Sequence, residues 1–268
     1  MWEVFFQFTF KWMGYIGLML LIVAVCWPVE RWFPRITQKK TSVGRLTTIT
    51  VLTLVTVVIV QAYSTWGQQA IIVTFVKFKF FSLSKLSIPD WALILVSMML
   101  LDFFYYLSHL ISHYIPTIWR LHKIHHADEH VTAFSSLLHH PLESLYVALF
   151  VTGCVVMLGM PVLVLVYFGS ALACHAVFSH ADIALPETID RSLRWFLVTP
   201  DVHRTHHSQN IAEGNSNFGA MFTIWDRLFG TYLDQPREPV SQLSMGLPAD
   251  AKPAAFSARE LLLFPFRR

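Results

Sequence analysis

All thirteen histidines of this 268-residue chain lie between residues 109 and 207. Eight of them fall into three boxes: HxxxH at His109 and His113, HxxHH at His122, His125 and His126, and HxxHH again at His203, His206 and His207. Residues 142–173, between the second and third boxes, form a nearly unbroken apolar run. A fold that gathers these imidazoles must therefore carry the chain away through an apolar environment and return it to the same place.

Composition says what that environment is. Hydrophobic residues make up 54% of the chain and charged residues only 14%, which is not the balance of an ordinary soluble domain. Residues 12–29, 46–66 and 91–113 are each apolar for long enough to cross a bilayer. The run at 142–173 is too long for one crossing and is interrupted by Gly153, Gly159 and Pro161. It reads as two short helices meeting at Met160–Pro161, either a hairpin of spans or a re-entrant pair. The expected fold is all-α, a polytopic transmembrane helical bundle with a cytoplasmic histidine-rich helical cap.

The orientation follows from the basic loop at 31–45, which carries Arg31, Arg35, Lys39, Lys40 and Arg45. The segment 67–90 carries Lys77, Lys79 and Lys85. The positive-inside bias puts the first loop in the cytoplasm, and with it all three histidine boxes. Residues 73–81 partly alternate and suit a membrane surface, as does the C-terminal LLLFPFRR. Cys26, Cys154 and Cys174 sit in apolar stretches without CxxC spacing. They read as small hydrophobes rather than a disulfide framework or a metal site. The net charge of +3 is small and scattered, so nucleic acid is not an expected partner.

The boxes carry the chemistry. Successive helical residues diverge by about 100°, so Asp102, Tyr106, His109 and His113 fall within an arc of about 60° on one face. A carboxylate this deep in an apolar span needs a partner, and an imidazole N–H is the expected one. Positions i, i+3 and i+4 of HxxHH share a face, while the adjacent pair diverges enough to serve two neighbouring metals. Imidazole ligation without sulfur suits iron, zinc, copper or nickel. Eight or more imidazoles exceed the three-ligand set of a zinc hydrolase and point to two metals. Two redox-active irons beside a lipid-filled cleft suggest oxygen activation and C–H oxidation.

Over residues 95–235 the chain resembles the fatty acid hydroxylase and sterol desaturase superfamily of integral-membrane di-iron enzymes. The resemblance rests on the order of the boxes, on the lead-in Asp102, Tyr106, His109, and on WRLHKIHHADE around the second box. It also rests on HPLE at 140–143, HADIALP at 180–186, TPDVHRTHHSQN at 199–210 and WDRLFGTY at 225–232. It implies a histidine cap over the cytoplasmic ends of the spans, with His109, His113, His122, His125, His126, His203, His206 and His207 as ligands of two iron ions. It adds His180, and His175 five residues earlier, from the end of the last membrane segment. His140 and Asn217 become candidates to line the site beside Asp102 and Tyr106. His139 reads as solvated, His130 as a surface residue, and Trp225–Arg227 as structural packing. Thr199 and Asp201 suit a helix N-cap, with Pro200 at the first helical position.

The expected domains are 1–90, the N-terminal spans and connector; 91–235, the catalytic unit; and 236–268, a tail. The expected reaction is O2-dependent hydroxylation of a membrane lipid, or its desaturation variant. Sterol, fatty acyl, carotenoid, alkylglycerol ether and aminolipid substrates are all compatible. No flavin, haem or ferredoxin motif is present, so electrons are expected from a separate cytochrome b5-, ferredoxin- or flavoprotein-type donor. Lys123, Arg191, Arg194 and Arg204 are the candidate docking residues. The competing readings are a polytopic metal transporter, a haem-binding membrane subunit and a zinc-dependent lipid hydrolase. A transporter would spread polar groups along several spans, and haem needs only one or two axial histidines.

Overall fold

The computed structural model describes residue 21 and residues 23–36, 42–75 and 81–267. The expected first span, 12–29, lies mostly outside them. The described chain is helical throughout its regular parts, with three isolated β-bridges. Helix α1 runs from Val43–Ala62 through a π-helical turn, Tyr63–Gly67, into Gln68–Phe75. Helix α2 is Asp90–Tyr114, α3 Pro116–His122, α4 Pro141–Met157 and α5 Val164–His180. Shorter helices follow: α6 Glu187–Leu193, α7 Pro200–His206, α8 Ile211–Gly214, α9 Ile224–Phe229 and α10 Ala258–Leu263.

Two helices, Val43–Phe75 and Asp90–Tyr114, are long and apolar enough to cross a membrane. Helices α4 and α5 are apolar and shorter, at 17 residues each, or about 25 Å. They are joined at the expected break. Gly159 turns the chain there with φ of 57°, and a Cβ would come within 2.9 Å of the Ser82 backbone.

The second span is longer than its sequence suggests. The expected span ends at residue 66, yet the helix continues through Gly67 to Phe75, so the connector begins later than residue 67. The π turn shows why glycine is tolerated: a Cβ at 67 would lie 2.8 Å from the Tyr63 ring. Glycine here admits the ring and keeps the helix intact. Several hydroxyls of the apolar helices are satisfied locally. Thr48, Thr53 and Ser112 donate to the carbonyls four residues back, at 2.8 Å each.

Two apolar clusters bracket the histidines. Leu101, Val151, Val164 and Phe168 pack where α2, α4 and α5 meet. Ile49, Leu52, Ile124, Leu138 and Leu261 pack around the second box. The C-terminal LLLFPFRR is also anchored in the protein. Leu261 is fully buried in the second cluster, and Phe264 lies under the Lys123 ammonium at 3.8 Å. The basic loop is also engaged with the protein. Arg45 is buried in a bidentate pair with Asp128 at 2.9 and 2.5 Å, and Arg35 meets Asp201 at 2.5 Å.

Candidate metal centre

Proline sets the start of three of the elements that carry or adjoin the site. Pro116, Pro141 and Pro200 each occupy the first turn of a short helix, where a missing N–H costs nothing. Thr199 is the N-cap of α7, as expected, with Asp201 in its first turn. The first box occupies the last two turns of α2. The second is not one continuous helical turn. Helix α3 ends at His122, and His125–Ala127 form a separate 3-10 turn, because Ile124 between them is drawn fully into the apolar cluster.

The imidazoles separate into two groups, and each HxxHH box is divided between them. His109, His113, His122, His126 and His206 form one; His125, His180, His203 and His207 form the other. Within each group the candidate ligand atoms all lie within 4.8 Å of one another. The two groups adjoin through the stacked rings of His126 and His207, 4.6 Å apart. The divergence of neighbouring helical residues thus sends His125 and His126 to different groups, and likewise His206 and His207.

Six imidazoles donate Nδ1–H to a fixed acceptor. His109, His125, His180 and His206 donate to the carbonyls of Phe218, Leu138, Ala176 and Ser216, His113 to Asn215 Oδ1, and His122 to Glu143 at 2.6 Å. That leaves Nε2 as the lone-pair nitrogen. His180 Nε2 lies 3.0 Å from His203 Nε2, and lone-pair Nε2 atoms face each other at 3.1 Å in the pairs His109–His122 and His125–His180. Opposed lone pairs at this distance repel unless a cation lies between them. Nε2 of His113 and His206 is buried without a protein partner. Burial, reinforced by neighbouring imidazoles, also holds His125, His126, His203, His206 and His207 well below the usual histidine range. They are neutral, the form that binds metal. The donor set fits a pair of metal ions.

The other candidates lie elsewhere. His175 is in neither group; its ring packs on Phe178. Asp102 does not meet an imidazole. It accepts from Trp225 Nε1 at 2.8 Å and from the Met221 amide at 3.1 Å. Seven residues separate it from His109, about 10 Å along the helix, which is beyond hydrogen-bond reach. Tyr106 pairs with Thr231 at 3.1 Å. Both residues hold the 218–231 loop, whose Phe218 carbonyl orients His109. Asp226 completes that loop by accepting from the amides of Phe218 and Gly219 at 2.8 Å each.

His140 caps α4 through Nδ1 and donates Nε2–H to the Leu262 carbonyl at 3.3 Å. It fastens the C-terminal segment. Asn217 adopts φ of 55° and clamps Val202 and Leu233, a backbone state that asparagine tolerates. His139 is not simply solvated: it stacks on His125 with ring centres 4.4 Å apart and reaches Glu143 at 3.3 Å. His130 contributes its backbone carbonyl to Arg45.

Two supports escaped the sequence reading. Glu143 joins His122 to His139. The buried pairs Arg45–Asp128 and Arg204–Asp182, the latter at 2.7 Å, brace the second and third boxes. A repeated tripeptide signals both aspartates: His126-Ala127-Asp128 and His180-Ala181-Asp182. Arg204 is fully buried, and Arg194 is buried against Asp190, so neither can receive a docking protein.

The fold and the paired imidazole groups define a class of histidine-rich helical protein built around two metal positions. The fatty acid hydroxylase family profile matches residues 94–231, just over half of the chain. The chain belongs to that family. It is 28% identical over 144 residues to ornithine lipid hydroxylase OlsE of Rhizobium tropici, covering 54% of this chain and 43% of that protein. It is 31% identical over 135 residues to alkylglycerol monooxygenase of Caenorhabditis elegans, covering 49% and 25%. It is 29% identical over 135 residues to cholesterol 25-hydroxylase-like protein of Danio rerio, covering 50% and 53%. The chain thus spans about half or less of the length of these relatives. No solved structure matches it significantly.

Proposed function

We propose that this protein is an integral-membrane, iron-dependent hydroxylase of a lipid. The observation that carries the reading is the pair of adjoining imidazole groups at the ends of apolar helices, with an apolar cleft beneath. His109, His113, His122, His126 and His206 hold one iron; His125, His180, His203 and His207 hold the other. When bound, the irons supply O2 activation. The overall change is R–H, O2, two electrons and two protons giving R–OH and water.

The protein's part is to orient, exclude water and admit the lipid. The Nδ1 acceptors fix every ring they hold before the metal arrives, which limits reorganisation. The cleft has a volume of about 130 Å³ and is lined by Tyr63, Tyr105, Val151, Leu165 and Phe168 among others. Tyr105 lies one helical turn before His109 and Phe168 about three turns before His180. The lining reaches Leu165, fifteen residues before His180, so the cleft runs from about 6 to about 22 Å below the metal layer, a path suited to an acyl or sterol chain. The relatives named above are hydroxylases and monooxygenases, which favours hydroxylation over desaturation.

Helices α1, α2, α4 and α5 cross or enter the bilayer in this reading, and the histidine cap faces the cytoplasm. Residues 91–235 are the catalytic unit, 1–90 its membrane base and 236–268 a tail folded back on the cap. Electrons come from a separate donor protein at the cap. The test is metal analysis of detergent-purified protein, with lipid analysis of expressing cells under ¹⁸O2. Two irons per chain and a lipid carrying one labelled oxygen are expected, and both are lost in His206→Ala. One zinc without iron, or an unchanged His206→Ala protein, overturns the proposal.

A further inference from the structure

A group of large apolar side chains outside the long apolar helices is bare. Trp195 is 62% exposed, Phe196 72%, Ile224 48%, Leu228 67% and Phe229 54%. They form one surface. Leu197 bridges to Phe222, the Thr223 amide donates to the Phe196 carbonyl at 3.0 Å, and α9 follows directly. The Arg227 guanidinium lies over the Trp195 ring at 4.6 Å.

The height of this surface is set by its contacts with α2. The Phe103 ring lies 5.1 Å from Trp225 and 5.8 Å from Phe229, and Tyr106 lies 5.6 Å from Phe229. Phe103 and Tyr106 come six and three residues before His109, about 9 and 4.5 Å from it along α2, on the side away from the cap. Helix α9 therefore runs beside α2 beneath the histidine layer.

The surface also carries little charge. Its charged residues are Asp226 and Arg227. Asp226 is fully buried, spent on two backbone amides and Thr231. Arg227 is folded onto the Trp195 and Tyr232 rings and the Arg194 carbonyl. A docking carrier protein would find no exposed carboxylate here and only the ring-covered Arg227 as a cation, whereas acyl chains need apolar contact alone.

We infer that residues 195–197 and 222–229 form an apolar wedge seated among the acyl chains of the leaflet nearest the metal centre. This rests on α2 spanning the bilayer, as proposed above. The wedge packs on α2 at Phe103 and Tyr106, on the spanning side of the histidines, where an apolar surface meets acyl chains. The wedge is also tied to the site, because Asp226 holds Phe218, whose carbonyl orients His109.

The test places a photoreactive benzophenone amino acid at Trp195 or at Leu228 in the full chain, reconstituted in phosphatidylcholine nanodiscs. Leu95 on α2 and the exposed Glu238 near the cap serve as controls. After illumination, phospholipid adducts are expected at positions 195 and 228 as at 95, and not at 238. Adducts at 95 without any at 195 or 228, or cross-links from 195 and 228 to a second copy of the chain, overturn the wedge alone. Absence of adducts at 95 as well overturns the membrane reading beneath it. Two independent positions guard against one substitution that fails to fold.

Discussion

Replacing Glu143 tests how far the protein holds its imidazoles ready for metal. The carboxylate is buried and accepts from His122 Nδ1 at 2.6 Å. Glu143→Ala leaves that N–H without its acceptor in a buried place, a cost of about 1–3 kcal/mol. Losing the partner of a ligating histidine typically lowers metal affinity about 10- to 100-fold, which is about 1.4–2.8 kcal/mol. The two routes agree. Glu143→Gln keeps an oxygen acceptor and loses the charge, so it should fall between parent and alanine. The assay is iron retention of purified protein against a graded chelator series, with thermal unfolding followed in parallel. Alanine and parent proteins holding iron equally well would refute the reasoning. So would a loss of iron that merely tracks global unfolding.

Other expectations follow from the same geometry. Asp102→Asn keeps one acceptor for two donors and should lower stability by about 1–3 kcal/mol with iron content near parental, checked by denaturant unfolding and metal analysis. His175→Ala should keep its iron, whereas His180→Ala, which removes a member of the four-histidine group, should lose it. Arg204→Met removes the guanidinium from a buried carboxylate and should cost about 3–5 kcal/mol, read as a lower midpoint of unfolding. Acidification should release iron only below the ordinary histidine range. The folded-state values of His125, His126, His203, His206 and His207 are depressed, so these rings stay neutral and ligating at a pH where a free imidazole is already protonated. Release near pH 6.5, the unperturbed value, would contradict this.

The division of the histidine boxes into two groups was readable because imidazole spacing encodes its own geometry. The divergence of His125 from His126, and of His206 from His207, is a property of the backbone and survives whatever surrounds it. The break at Gly159 was readable for the same reason. What holds the rings was harder to see. Four of the six Nδ1 acceptors are backbone carbonyls, which leave no mark on residue identity. Glu143 and Asn215 lie 21 and 102 residues from the rings they hold, so no local pattern joins them. Asp102 was misassigned because a shared helical face was weighed and distance along the axis was not. The helix at Gly67 ran on because the Tyr63 ring fills the space that the missing side chain leaves.

The division of each HxxHH box between the two groups has a consequence for how metal enters. His122 and His126 belong to one group while His125, between them in sequence, belongs to the other; His206 belongs to the first while His203 and His207, on either side of it, belong to the second. Nδ1 of His203 and His207 has no hydrogen-bond partner, so the ordering left to a metal falls on the third box, whose His206 belongs to the other group. We predict that this shared ordering outweighs the repulsion between the two cations; by thermodynamic linkage each ion then raises the affinity for its neighbour by the same factor. Titration of iron into the apo-protein should then be sigmoidal, with the half-loaded species scarce at every point along the curve.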